Sequence, residues 1–340
     1  MKIIIDAMGG DNAPLEIVKG AMTGAAHWDV DIALVGDPDR IRAAMESCGV
    51  PTPAQKVEIV PASEIIEISD DPATAFKKKK DSSMTVGLNM LRDGAGDAFV
   101  SAGSTGALLA GATLVVKRVR GIRRAAMAPV IPTTTGQAVL IDCGANAECT
   151  PEYLLQFAYL GSFYASSVLG VEKPRVGLLN IGAEPEKGTD LQRETYARLQ
   201  AAAEEGALHF VGNIEAKEAI KGECDVIVAD GFSGNVLLKG MEGVGSFAVH
   251  ALKDVFGKNL KSKLAAALIM SDLKAFKDRL DPNKVGGTAL IGISKPVIKA
   301  HGASNAEAID NAIGQARTIA RSDIAADIEK NIDRMRIDRT

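Results

Sequence analysis

Small, polar, glycine-rich stretches recur along this chain, each directly after a short β-branched run. The first is Asp6-Ala7-Met8-Gly9-Gly10-Asp11-Asn12-Ala13-Pro14, and the next is Ser101-Ala102-Gly103-Ser104-Thr105-Gly106. Asp142-Cys143-Gly144-Ala145-Asn146-Ala147, Asn180-Ile181-Gly182 and Asp230-Gly231-Phe232-Ser233-Gly234-Asn235 follow the same rule. Glycine lets backbone N–H groups come close to a ligand, and a helix starting just after it favours negative charge. Ligands of open α/β sheets bind beyond the carboxyl ends of the strands. One such loop is an ordinary turn. Repeated at successive strand ends, they predict a single anion-lined cleft.

Better-known constellations fail on inspection. Gly231-Phe232-Ser233-Gly234-Asn235 misses the nucleophile-elbow pattern at its last position. Lys187-Gly188-Thr189 reverses the Gly-Lys order of a phosphate-binding P-loop, and Gly94-Ala95-Gly96-Asp97-Ala98-Phe99 lacks the last glycine of a dinucleotide fingerprint. His27, His209 and His250 lie outside the glycine loops, and His301, in Ala300-His301-Gly302, reads as a loop histidine. A Ser-His-Asp hydrolase or a metalloenzyme is therefore poorly supported, and no metal or cofactor is expected. Cys48, Cys143, Cys149 and Cys224 form no C-x-x-C pair and read as free thiols of a reducing compartment. What remains is backbone donors, amides, hydroxyls and one lysine, Lys187, in Glu184-Pro185-Glu186-Lys187-Gly188-Thr189. By pattern alone that lysine is a solvated surface residue. The inventory suits a reaction whose nucleophile comes from a substrate and whose demands are positioning and charge placement.

The elements that must position these loops alternate between short β-branched runs and longer helical patterns. Strands are expected at Lys2–Ile5, Asp31–Val35, Val57–Val60, Ala98–Val100, Ala138–Ile141, Arg175–Leu179, His209–Val211 and Asp225–Val228. Helices are expected at Leu15–Ala26, Ala107–Val116, Pro151–Leu169, Leu191–Glu204 and Asn305–Ala326, and Met127–Ile131 pairs with Ala138–Ile141 as a hairpin. This rhythm predicts an α/β fold, a three-layer α/β/α sandwich on a mostly parallel, Rossmann-like sheet. No repeat or linker divides residues 1–340, so one domain is expected. Residues 234–281 depart from the rhythm: a helix pair broken at Gly257, with apolar Leu260, Leu264, Leu268 and Leu273 beside Lys253, Lys258, Lys261, Lys263, Lys274, Lys277 and Arg279. Such a basic amphipathic hairpin can lie on anionic lipid or pack against a second subunit. A net charge of -4 and 4% aromatic residues argue against a nucleic-acid ligand. The Ile3-Ile4-Ile5 run is too short for a signal peptide and no apolar run is long enough to span a bilayer, so the expectation is a cytoplasmic protein with at most peripheral membrane contact.

The glycine loops, taken with Lys79-Lys80-Asp81-Ser82-Ser83-Met84, Gly212-Asn213-Ile214-Glu215, Gly286-Gly287-Thr288-Ala289-Leu290 and Ala300-His301-Gly302-Ala303-Ser304, resemble the PlsX family of bacterial phosphate acyltransferases in the same order and over the whole chain. That resemblance implies a phosphotransacetylase- and isocitrate-dehydrogenase-like fold acting as a homodimer. It implies conversion of long-chain acyl-[acyl carrier protein] and inorganic phosphate to acyl phosphate and free carrier protein, by direct phosphate attack. The product would feed a membrane glycerol-3-phosphate acyltransferase in phosphatidic acid synthesis. It implies peripheral membrane attachment, assigned here to a tip at about Phe256–Leu280. Lys187 and Asn235 match the family's most important residues: Lys187 is expected to hold phosphate and Asn235 to donate to the oxyanion or orient phosphate. Asp6, Gly9, Gly10, Asn12, Ser101, Gly103, Ser104, Thr105, Asn146, Gly182, Asp230 and Ser233 are the expected substrate-binding set. Pro185 among the acids, Thr189 after Gly188, and Ser233 in place of a common threonine depart from the family pattern. The rival readings are a coenzyme A-dependent phosphotransacetylase and a non-catalytic membrane or carrier-protein scaffold. Lys117, Arg118, Arg120, Arg123 and Arg124 could dock an acidic carrier protein, or face solvent or a second subunit.

Overall fold

A computed structural model describes residues 1–49, 56–280, 284, 286–322 and 324–335. β1 (Lys2–Asp6) lies at the heart of a seven-stranded sheet ordered β3-β2-β1-β4-β12-β11-β5. Its isoleucines explain the place: Ile3, Ile4 and Ile5 are fully buried, as expected of a parallel strand covered on both faces. β2 (Asp31–Gly36), β3 (Val57–Pro61), β4 (Ala98–Ser101) and β12 (Val297–Lys299) run parallel with it, whereas β11 (Thr288–Ile291) pairs antiparallel with β12 and with β5 (Ala126–Ala128). A second, five-stranded sheet has the order β6-β7-β10-β8-β9. In it β7 (Gly136–Ile141), β10 (Val226–Val228), β8 (Arg175–Leu179) and β9 (His209–Ile214) are parallel, and β6 (Val130–Thr133) closes the expected hairpin with β7.

The α/β class and the mostly parallel strands agree with the sequence, but the strands divide into two sheets rather than one. Pro129 marks the crossing. The single run Met127–Ile131 is split there, β5 joining the large sheet and β6 the small one. Two strands, β11 and β12, were not anticipated at all. The core nevertheless runs through both sheets, because one apolar cluster holds Ile3, Ile5 and Ile298 of the first together with Val139, Val176 and Val226 of the second.

Helices cover these sheets. α1 (Leu15–His27) packs on the long C-terminal helix Ala306–Ser322, here α12. Small residues let the axes approach, since a Cβ on Gly20 would lie 2.5 Å from the Ala306 carbonyl. The Trp28 indole locks the pair by donating to Asp310 Oδ1 at 2.7 Å. α5 (Thr105–Gly111) and α6 (Pro151–Ser167) match their expected places, and the predicted Asn305–Ala326 helix is interrupted, continuing as α13 (Ile324–Lys330); residue 323 lies outside the described residues.

The unusual stretch is built on α9 (Gly231–Gly257), which ends at the expected glycine. α10 (Leu260–Leu268) and α11 (Met270–Leu280) follow, so the anticipated pair is three helices; residue 281 lies outside the described residues. Only Gly231 and Gly234 of α9 are buried. Val244, Phe247, Leu260, Leu264 and Leu268 all stand exposed. No helix among the described residues is long and apolar enough to cross a membrane.

Candidate active site

The carboxyl ends of both sheets open into a cleft of about 1920 Å³. At the β1 end, Asp6 is buried and accepts from Ser101 Oγ at 2.7 Å and from the Met8 N–H at 3.2 Å, while the Gly103 N–H donates to Ser101 Oγ at 3.0 Å. Asp6 and Ser101 thus brace the loops rather than line the cleft. Burial pushes the Asp6 carboxyl above its ordinary range, and hydrogen bonds from Ser83, Ser101 and nearby backbone oppose that shift. A Cβ on Gly9 would sit 2.8 Å from the Gly103 nitrogen, and one on Gly10 would sit 3.0 Å from the Gly302 carbonyl. Gly10 also has a φ of +103°, a conformation natural to glycine. The loops after β1, β4 and β12 therefore meet at bare backbone. The Asn12 amide ties them further, donating to the Ala303 and Ser304 carbonyls at 3.2 Å.

The second sheet is braced by another acid. Asp142 is fully buried, with Oδ1 accepting from the Met127 and Cys143 N–H groups at 2.8 and 2.7 Å. Its Oδ2 accepts from the Asn146 N–H at 2.6 Å and from that residue's amide at 3.0 Å. Burial raises this carboxyl too, against the pull of those donors. Asn146 also donates to the Ala125 carbonyl at 2.8 Å and accepts from the Gly231 N–H at 2.8 Å, so it is a strut holding the start of α9. Asp230 caps that helix, accepting from the Ser233 N–H and Oγ, both at 2.8 Å. The first turn then carries Ser233 and Asn235 into the cleft opposite Gly144; a Cβ on that glycine would lie 3.8 Å from the Asn235 amide.

Of the expected substrate-binding set, Gly9, Gly10, Gly103, Ser104, Thr105 and Ser233 line the cleft, together with Asn235. Asp6, Asn12, Ser101, Asn146 and Asp230 support it from behind, and Gly182 lies outside the lining. Lys187 also lies outside the lining, exposed on a rim loop whose neighbours Asn180, Ile181 and Gly188 do line it. That loop is pinned by two amides, Asn180 donating to the Lys187 carbonyl at 3.0 Å and Asn213 to the Glu184 carbonyl at 2.8 Å. The Lys187 stem passes over Gly182, where a Cβ would lie 3.1 Å from Lys187 Cγ.

Lining residues that the sequence did not single out include Lys299, Lys239 and Cys143. Lys299 stands at the carboxyl end of a buried strand, and a lysine closing the run Val297-Ile298 was the signal available. Burial pushes the Cys143 thiol up to about 12, so it is no ready nucleophile. Glycine loops form one part of the cleft wall and an apolar trough another, with Ile65, Ile131, Leu179, Phe232, Val236 and Phe276 in the trough. The described residues hold no group of three or more His, Cys, Asp or Glu side chains placed to bind a metal.

The two-sheet α/β frame is that of the phosphotransacetylase fold. The Streptococcus pyogenes phosphotransacetylase superposes with a TM-score of 0.63 over 94% of each chain at 19% identity. The Klebsiella pneumoniae 4-hydroxythreonine-4-phosphate dehydrogenase superposes with a TM-score of 0.54 over 94% of this chain and 98% of its own, at 14% identity. At such identity these likenesses speak for the fold alone. Sequence goes further. The model of the family described as "Fatty acid synthesis protein" matches residues 1–327. A protein named phosphate acyltransferase from Caldanaerobacter subterraneus subsp. tengcongensis is 44% identical over 98% of both chains. One of that name from Geobacillus thermodenitrificans is 44% identical over 98% of this chain and 99% of its own. The chain belongs to this family of fatty acid synthesis proteins, the PlsX family, and is an acyltransferase.

Proposed function

We propose that the protein transfers a long acyl chain from the thioester of acyl carrier protein to inorganic phosphate, giving acyl phosphate and the free carrier thiol. The observation that carries this reading is the two-part cleft, with bare glycine backbone at the strand ends and an apolar trough along α9. Family membership supports the same reaction. A phosphate oxygen adds to the thioester carbonyl, the C–S bond breaks, and the thiolate leaves with the electron pair and takes a proton from water. No enzyme nucleophile is needed, which agrees with a cleft whose one lining thiol is buried and held protonated. Asn235 donates to the carbonyl oxygen as it becomes an oxyanion. Lys187, exposed on the rim loop outside the lining, adds positive charge at the mouth of the cleft.

In the same reading the chain works as a homodimer from the cytoplasmic side, with residues 1–340 acting as one unit. The exposed apolar faces of α9 to α11 rest on the membrane, and the acyl phosphate passes to a glycerol-3-phosphate acyltransferase for phosphatidic acid synthesis. Arg118, Arg120, Arg123 and Arg124, all exposed, offer a basic face to an acidic carrier protein. The test mixes purified protein, palmitoyl-[acyl carrier protein] and phosphate, following thiol release and trapping acyl phosphate with hydroxylamine. Thiol release must require phosphate; equal release without it is hydrolysis and overturns the proposal. Faster turnover with acetyl-coenzyme A than with the carrier thioester would overturn the choice of donor.

A further inference from the structure

The acceptor proposed above is a small, doubly charged anion, and the cleft offers few cations to meet it. Lys187 is outside the lining, and among the described residues no arginine lines the cleft. Lys239 lines it but is paired with Glu242 at 2.7 Å. Lys299 is left. It is the last residue of β12, only 8% exposed, and lines the cleft among the bare loops after β1, β4 and β12.

Its surroundings are unusual for a structural lysine. Nζ donates to the Ala102 carbonyl at 3.2 Å and to the Ala300 carbonyl, one from the loop after β4 and one from the loop after β12. An ammonium has three N–H donors. Among the described residues no third acceptor is within hydrogen-bond distance and no carboxylate bonds to it. Asp6 and Asp11 favour the charge electrostatically without bonding to it, and Asp6 is already engaged by Ser101 and Met8. A buried charge is costly unless it is fully paired and hydrogen-bonded. Here one donor remains for an occupant of the cleft. Gly9, Gly10 and Gly103 line the same cleft and carry no side chain to keep a compact anion away from the backbone.

We propose that Lys299 holds the acceptor phosphate at the glycine-walled end of the cleft, its third N–H donating to a phosphate oxygen while the neighbouring backbone N–H groups define the pocket. The assignment rests on the phosphate-transfer reading and adds the residue that fixes the acceptor's place. Burial supports a distinctive pH response, pulling the Lys299 ammonium down to about 8. The groups around it are Asp6 and Asp11, which favour its charge, Lys239 of α9, which opposes it, and His301 on the following loop. Lys299 is charged below that value and neutral above it. Phosphate binding therefore weakens as pH rises through about 8.

The experiment compares wild type, Lys299→Met and Lys299→Arg in the full chain, with palmitoyl-[acyl carrier protein] as donor and inorganic phosphate as acceptor. Lys299→Met is expected to raise the phosphate KM by roughly tenfold or more, the size of a lost charge-assisted hydrogen bond, while the donor KM stays within about twofold. Lys299→Arg is expected to recover part of the phosphate affinity and to remove the rise in phosphate KM through pH 8. An unchanged phosphate KM in folded Lys299→Met, or a parallel rise in both KM values, overturns the assignment. Should Lys299→Met fail to fold, the wild-type profile decides, since a phosphate KM flat from about pH 7 to 9 excludes a titrating lysine at the acceptor. These outcomes are separate from failure of the reaction itself, which would show as wild-type thiol release indifferent to phosphate.

Discussion

Asn235 and Lys299 approach the cleft by different routes, and the difference explains which of them could be read from sequence. Asn235 follows a glycine-rich stretch that opens a helix, a local pattern with a local meaning. Lys299 closes a three-residue strand and looks like any solvated lysine until loops some two hundred residues apart close over it. Burial of that kind is a long-range property, invisible to local periodicity. Lys187 shows the converse: pattern alone reads it as a solvated surface residue, only the family resemblance marks it out, and its side chain stands exposed on the rim. Replacing Asn235 by Ala should lower turnover by about 10²–10³, the usual cost of one oxyanion donor, with little change in thermal stability. Stopped-flow thiol release against thermal melts separates the two. Cys143 offers a second check. A thiol pushed up to about 12 has almost no thiolate at neutral pH, so iodoacetamide should leave activity intact; rapid inactivation with modification at Cys143 would contradict direct phosphate attack.

The start of α9 concentrates the element-scale constraints. Asp230 satisfies the first-turn N–H of Ser233, and its removal leaves that donor without a cap. Asp230→Ala should cost about 1 kcal/mol of stability, whereas Asp230→Asn should cost much less, measured by urea denaturation. Gly234→Ala should be worse. Its Cβ would lie 2.0 Å from the Asp142 carbonyl, in a loop already held by the Cys143 and Asn146 N–H bonds to the Asp142 carboxylate. An overpacked site of this sort costs roughly 1–3 kcal/mol, and here the relief must displace Asn235, so activity should fall together with the melting temperature. Sequence patterns located the long helices and most parallel strands well. They missed β11 and β12, which are only four and three residues long and separated by a polar, glycine- and proline-containing turn. They also fused β5 with β6, because Pro129 ends a strand without ending the apolar run.

At the scale of the whole molecule, the class of fold was legible because alternating short and long periods leave few architectures open. The division into two sheets was not, since strand order depends on pairings between distant segments. The exposed helices pose the remaining question. Leu264 and Leu268 are 59% and 86% exposed, more than a folded surface normally asks of leucine. A Leu264→Glu, Leu268→Glu double variant should lose co-sedimentation with anionic vesicles and keep its turnover with soluble carrier thioester. A shift in oligomer size by light scattering, with vesicle binding unchanged, would instead assign that face to the second subunit.

α9 has one further implication. At 1.5 Å per residue its 27 residues span about 40 Å, from Ser233 and Asn235 at one end to the exposed leucines beyond Gly257 at the other. The apolar trough follows it, with Val244 and Phe276 among its walls. A fatty tail bound there would lie along a greasy rail instead of hanging in water. Chain length would then be gauged by how far along the rail the tail extends, and narrowing it near Val244 should shorten the preferred substrate without touching the chemistry.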